Sequence, residues 1–195
     1  TIAALRGTRS LEITTHRAEA YSPDSRKPEV KFSDSVLVDL SRRDFTINAM
    51  ALELTAASPQ LVDPHGGMDD LLSRRLRTPL SPEESFNDDP LRMLRAARFM
   101  ATLSVVPDDA LVSAVRAMND RLQIVSAERI RTEFDRMIVT DSVTMALRFA
   151  VETGLTTHFL PELPALSLEQ EPIHRHKDDL THTFAVVENV RQEMP

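Results

Sequence analysis

DDPLRMLRAARFMATL, Asp88 to Leu103, is the stretch on which the fold turns. Leu91, Leu94, Ala97 and Ala101 recur at helical spacing and form an apolar stripe. Asp88 or Asp89 stands where an N-cap accepts backbone N–H groups. Pro90 suits the first turn, where its missing N–H goes unneeded. Arg92, Arg95 and Arg98 follow Asp89 at intervals of three, on one broad, slowly drifting face. The stretch predicts an amphipathic helix with a cationic face that begins at its N-terminus, the end whose dipole favours anions.

The chain after this stretch keeps the helical period. LVSAVRAMNDRL and SAERIRTEFDRMIV predict amphipathic helices, the second capped by Ser126. SVTMALRFAVETGL predicts a helix ending at Gly154. LPELPAL reads as a proline-punctuated linker, and HKDDLTHTFAVVENV opens another helix. The chain before Asp88 reads differently. In SLEITTHRAE, Leu11 and Ile13 alternate with Glu12 and Thr14, which predicts a half-buried strand. Tyr21 to Phe32, with Pro23 and Pro28, reads as a loop. NAMALELT fits helix or strand equally. Asp63-Pro64 and Gly66-Gly67 mark a turn that leads through Asp69 and Asp70 into a short helix. The fold class is therefore α+β, a strand-containing head before a helical body. The expected units are residues 1–72, 73–165 and 166–195.

Bulk properties narrow the function classes. A chain of 195 residues, 42% hydrophobic, buries a real core. With no cysteine it has neither disulfides nor thiolate metal sites. No secretory signal or bilayer-length apolar run is present, so a soluble cytoplasmic protein is expected. A net charge of −7 argues against a generally basic nucleic-acid binder. The basic residues are nevertheless almost all arginine, the lysines being Lys27, Lys31 and Lys177. Arginine matches phosphates and base edges with a planar fork, although codon usage in a GC-rich genome produces the same bias.

Several clusters carry possible chemistry. Asp89 beside Arg92 pairs an acceptor with a donor. Cytosine and adenine offer an exocyclic amino donor next to a ring-nitrogen acceptor, whereas uracil and guanine reverse both polarities. A carboxylate–guanidinium pair therefore selects C and A. The plainer alternative is an i,i+3 ion pair on a solvated helix. In RRDFTINAM, Arg42 to Met50, two cations run into an apolar segment. Either this is an ordinary strand–helix junction, or the apolar anchors aim the arginines at a phosphate, with Asp44 holding them and Asn48 bonding backbone or ribose. Glu12, on a strand, can contribute one ligand to Mg²⁺, which needs others beside it. Arg129 and Glu133 in ERIRTE stand at i,i+4 and read as an ion pair bracing a helix. His174, His176 and His182 are either metal ligands or solvated side chains.

RRDFTINAMA, LVDPHGGMDDL, FNDDPLRMLRAARF and SAERIRTEF occur in this order along almost the whole chain. Together they resemble the class II tRNA nucleotidyltransferase (CCA-adding) and bacterial poly(A) polymerase family, with a layout most like the actinobacterial CCA-adding enzymes. HKDDLTHTFAVVENV resembles the start of an HD domain. The resemblance implies a polymerase-β-type head with a mixed sheet, then a helical neck and body. It also implies untemplated addition of C, C and A to tRNA 3′ ends from CTP and ATP with Mg²⁺. The rival readings are poly(A) addition and a non-catalytic RNA- or nucleotide-binding remnant.

Carried over by motif, Arg43 contacts the incoming nucleotide, with Asp44 and Asn48 around its ribose. Asp89 and Arg92 read the base, and Arg95 and Arg98 grip the triphosphate. Asp63, Gly66 and Gly67 belong to a flexible segment between head and neck. Glu128, Arg129 and Glu133 brace the neck, Glu12 matches the third head carboxylate, and His182 matches the first HD metal ligand. The chain opens on Thr1 and stops after a helix-like ENVRQEMP, without the family's glycine-rich turn and paired Mg²⁺ aspartates. The expectation is a fragment that does not itself catalyse addition.

Overall fold

The computed structural model describes residues 2–15, 17–20, 29–32, 35–55, 57–167 and 179–193. It is an α+β fold. The strand-bearing part opens with β1 (Ile2–Arg6) and β2 (Arg9–Ile13), an antiparallel hairpin. β3 (Arg17–Ala20) pairs antiparallel with β4 (Glu29–Phe32). Helix α1 (Val36–Ser41) and a 3₁₀ turn at Thr46–Asn48 follow, then the hairpin β5 (Ala51–Glu53) and β6 (Gln60–Val62). Helix α2 (Gly67–Leu72) leads to β7 (Arg75–Leu76).

The helical part comprises α3 (Pro82–Asp88), α4 (Leu91–Leu103), α5 (Asp109–Met118), α6 (Ala127–Ile138), α7 (Val143–Glu152), α8 (Glu162–Ala165) and α9 (Asp179–Glu193). Between α4 and α5, β8 (Val106–Pro107) runs parallel to β7. Val106 N–H donates to Arg74 O at 2.8 Å, which ties the exit of α4 to the end of the head.

Helix α4 is the central beam. Its buried side comprises Leu91, Met93, Leu94, Ala96, Ala97, Met100 and Ala101, wider than the stripe expected from sequence, because it packs on both α6 and α7. Ala146 and Ala150 of α7 are buried as well, and small side chains on both helices let their axes approach closely. The head is bolted to this beam by Phe45. Its fully buried ring meets Phe99 edge-on at 5.2 Å between centroids.

Several expectations need correction. Leu11 and Ile13 are 62% and 54% exposed and β2 is exposed along both faces, so it is not a half-buried strand. Alternation gives a strand two distinct faces, but burial needs a neighbour to cover one of them. In place of one mixed sheet, the described strands form four separate pairs. Glu29–Phe32, read as loop, is strand β4, since Val30 and Phe32 alternate after Pro28 and pair with β3. NAMALELT divides into a 3₁₀ turn and β5. LPELPAL contains the short helix α8, whose Leu163 is buried. Helix α4 begins at Leu91, with Pro90 in the N-cap position. Asp89, although outside the helix, does a cap's work by accepting the Leu91 N–H at 3.1 Å.

Candidate functional site

Residues from three elements meet along the cationic face of α4. Asp44 follows α1 and is buried. Its carboxylate accepts from Arg95 Nε at 2.7 Å and from Asn48 Nδ2 at 2.7 Å. Asn48 Oδ1 in turn accepts the Phe45 N–H at 3.2 Å. Asp44 therefore holds Arg95, fifty-one residues away, and not its neighbours Arg42 and Arg43 as expected from sequence. Arg43 bonds Asp39 at 3.3 Å, one helical turn back. A buried carboxylate goes to the cation whose helix packs against it, and the exposed Arg43 takes the local pairing.

Helix α6 supplies the facing anions and cations. Glu133 is 2% exposed and accepts from Arg98 Nε, with Arg95 Nη1 at 3.8 Å and Arg136 Nη1 at 4.0 Å. Arg129 reaches the other way, donating to Asp89 Oδ2 at 2.7 Å. The expected i,i+4 pair of Arg129 with Glu133 thus gives way to two interhelical pairs. Both side chains lie on the α6 face turned toward α4. There Glu133 meets Arg98, which is better buried than Arg129, and Arg129 meets Asp89 at the more exposed end of the seam. Glu128 is exposed at the start of α6. Its own backbone N–H, with the Ser126 side chain, holds its carboxyl below the usual range. The guanidinium of Arg98 lies 4.6 Å from the Phe99 ring centre and that of Arg95 5.7 Å, a cation–π shelf between head and body.

Arg92 differs from its neighbours. Nη1 donates to Ser85 Oγ at 2.9 Å and to Ser85 O at 3.4 Å, and Nη2 to Arg42 O at 2.6 Å. All three acceptors are neutral. Among the described residues, Arg92 is a half-buried cation with no carboxylate against it, three residues from Asp89 at the start of α4. Ser85 and Phe99 were not singled out from sequence. Phe99 had a signal, since it neighbours Arg98 and follows Arg95 by four. Ser85 had only the S-x-x-E cap at Ser81 and Glu84, which announces its helix but not its contact.

The Asp63–Gly67 segment is pinned. Asp63 Oδ1 accepts the Gly67 N–H at 2.7 Å and Oδ2 the Met68 N–H at 2.9 Å. Burial raises this carboxyl, but the backbone N–H groups of Met68, Gly67, His65 and Gly66 outweigh it and hold it below the ordinary aspartate range. Gly66 takes φ +71°, and a Cβ on Gly67 would stand 2.0 Å from Thr46 O. Behind them the buried Asp70 accepts from Thr46 Oγ1 at 2.7 Å and from Arg77 Nε at 2.8 Å. The bond to Asp70 raises the Arg77 pKa and outweighs burial, which lowers it. The segment expected to flex therefore carries a dense set of bonds.

The remaining predicted residues stand apart. Glu12 lies on the exposed β2, and His182 is exposed on α9, while His174 and His176 lie outside the described residues. Among the described residues no three His, Asp or Glu side chains gather to hold a metal, so they do not by themselves make a Mg²⁺ site. No described helix is long and apolar enough to cross a membrane. A cavity of about 370 Å³ lies beyond α6, lined by Leu122, Val125, Ile130, Phe134, His158 and Phe159 among others.

Residues 1–77 match the family model of the poly A polymerase head domain. Residues 107–166 match the model described as the probable RNA and SrmB-binding site of polymerase A. A CCA-adding enzyme of Bacillus velezensis is 41% identical over 159 residues, 81% of this chain and 38% of that protein. One of Streptococcus gordonii is 37% identical over 180 residues, 92% of this chain and 44% of that protein. The chain thus spans less than half the length of these relatives. The crystal structure of the Bacillus stearothermophilus CCA-adding enzyme in complex with CTP superposes with a TM-score of 0.74 at 26% identity. That alignment covers 99% of this chain and 50% of the other.

Proposed function

The chain belongs to the tRNA nucleotidyltransferase and poly(A) polymerase family, and we propose that its parent protein adds C, C and A to tRNA 3′ ends from CTP and ATP in the cytoplasm. In this reaction the tRNA 3′ hydroxyl attacks the α-phosphorus of the nucleotide and pyrophosphate leaves. Mg²⁺ accompanies the triphosphate. Residues 1–72 form the head, 73–165 the neck and body, and 166–195 the start of an HD unit that contains His182.

The observation that carries this reading is Arg92, a cation held by neutral acceptors beside Asp89. Arg92 donates to the ring nitrogen of the incoming base, and Asp89 accepts from its amino group. Each Asp89 oxygen retains a lone pair beyond its bond to Leu91 or Arg129. Arg98 keeps Nε on Glu133 and turns its terminal nitrogens to phosphate, with Arg95 beside it. Arg43 meets the nucleotide from the head, and the bonded pair Asp44–Asn48 stands at its ribose. Asp63, Gly66 and Gly67 join head to neck, while Arg129 and Glu133, with Glu128 at the helix start, brace the α4–α6 contact. Glu12 faces the reaction from the head in the parent protein.

The test is titration of CTP, ATP, UTP and GTP, each with Mg²⁺, into the purified chain. CTP and ATP bind more tightly than UTP and GTP, and Arg92→Ala erases the difference. A charge-assisted hydrogen bond contributes about 1.5–3 kcal/mol, so its loss weakens CTP binding by about tenfold or more. Equal affinity for all four nucleotides sinks the reading. The name of the matched head model also fits poly(A) addition. Product sequence from the parent protein separates the two, since a poly(A) polymerase leaves CTP unused.

A further inference from the structure

Ser85 supplies two of the three acceptors that hold Arg92. Its Oγ takes Nη1 at 2.9 Å and its carbonyl takes the same nitrogen at 3.4 Å. Ser85 is itself only 4% exposed. It sits on α3, a helix fixed by Pro82 in its first turn and by a reciprocal cap between Ser81 and Glu84. From the opposite side, Arg42 O takes Nη2 at 2.6 Å. Guanidinium donors lie in one plane, so anchoring both terminal nitrogens sets the orientation of the whole fork. Nε, which has no acceptor among the described residues, then points in one direction.

Fixed orientation matters for discrimination. A swinging cation approaches any base, because every base has some acceptor within reach. A cation fixed in plane meets an acceptor at one position on the pairing edge and is left unpaired when a donor stands there. Ser85 makes no contact that binds a phosphate. Its leverage is therefore on which base is accepted and not on the triphosphate.

We propose that Ser85 is a specificity-determining positioning residue, which acts through Arg92 to separate cytosine and adenine from uracil and guanine. The proposal rests on the assignment of Arg92 to base reading. Ser85→Ala removes the 2.9 Å bond, leaves the longer carbonyl contact, and suits a helix.

The test titrates CTP, UTP and inorganic tripolyphosphate, each with Mg²⁺, into the wild-type chain, Ser85→Ala and Arg92→Ala, with thermal melts of each. In Ser85→Ala the ratio of CTP to UTP affinity falls about tenfold, the effect of one hydrogen bond to a charged group. Tripolyphosphate affinity stays at the wild-type value, and the melt remains one cooperative transition with its midpoint lowered by several degrees. An unchanged CTP to UTP ratio in Ser85→Ala, with the ratio lost in Arg92→Ala, overturns the proposal alone. Parallel loss of CTP and tripolyphosphate binding also overturns it, since that is a collapsed site. A wild-type chain that does not distinguish CTP from UTP removes the base-reading assignment, and the role of Ser85 with it, before any substitution is made.

Discussion

Two carboxylates show how differently this molecule treats the same chemical group. Glu133 lies 2% exposed between α6 and α4, with three guanidiniums within 4.0 Å. Glu12 lies on the β1–β2 hairpin, where every residue of both strands is exposed. Neither local sequence, ERIRTEFDRM or SLEITT, announces that difference. The helix places Glu133 against a cationic face that already has a core behind it, so the ion pairs form in a confined and partly dry seam. The hairpin pairs its two strands only with each other, and it holds no buried side chain. Pairing by backbone alone makes secondary structure, and only packing makes an electrostatic site.

The sharpest way to break this comparison is to remove both carboxylates in turn. Glu133→Ala leaves Arg98 and Arg95 in a half-buried seam without their shared anion, and losses of about 3–5 kcal/mol follow when one partner of a buried pair is removed. Glu12→Ala stays within about 0.5 kcal/mol, as substitutions at exposed positions do. Urea denaturation of the two variants measures the gap, and equal losses would show that the seam is no more than a surface ion pair.

Gly67→Ala probes the junction between the two regions and has the next largest effect. Its Cβ would meet Thr46 O at 2.0 Å, and that oxygen is backbone, which cannot rotate away. Overpacking of this kind costs about 1–3 kcal/mol. Because Thr46 directly follows Phe45, the Phe45–Phe99 contact shifts with it, and native-state hydrogen exchange at Ile47 and Asn48 rises. Unaltered exchange would mean that the junction yields freely.

Asp63 gives the smallest effect and the one with a pH signature. Its carboxyl titrates lower in the folded chain than in the unfolded one. By accepting the Gly67 and Met68 N–H groups it acts as a cap on α2. That contribution is thus fully present above the unfolded value, about pH 4, and is lost as the pH falls through the folded value. Asp63→Ala therefore costs about 1 kcal/mol at pH 7, in line with other caps. The difference from wild type shrinks below about pH 4. A difference that persists undiminished in acid points to packing and not to the charge.

Much of the helical body was legible. Ser126, Gly154 and the apolar period placed α6 and α7 because caps and periodicity are local signals, written within one or two turns of the residues they govern. The members of the site were legible in part. Arg92, Arg95, Arg98, Asp89 and Glu133 stand out by spacing and motif, but which residue pairs with which does not. Arg129 and Glu133 look like a pair at i,i+4, and each instead crosses to α4. Ser85 carried no signal, since nothing in its neighbourhood refers to a side chain seven residues on or to a carbonyl at Arg42.

The sequence by itself determined the α+β class, the family, the cationic face of α4 and the turn at Asp63–Gly67, all of which follow from motif order, periodicity and backbone preference. The tertiary structure decided which carboxylate holds which arginine. It left Arg92 alone to neutral acceptors and left Glu12 in the open. The physical reason is range. Hydrogen-bonded turns and helical faces are set by residues a few positions apart. Ion pairing in a low-dielectric seam depends on which helices the core brings together, and Asp44 reaches Arg95 across fifty-one positions of chain.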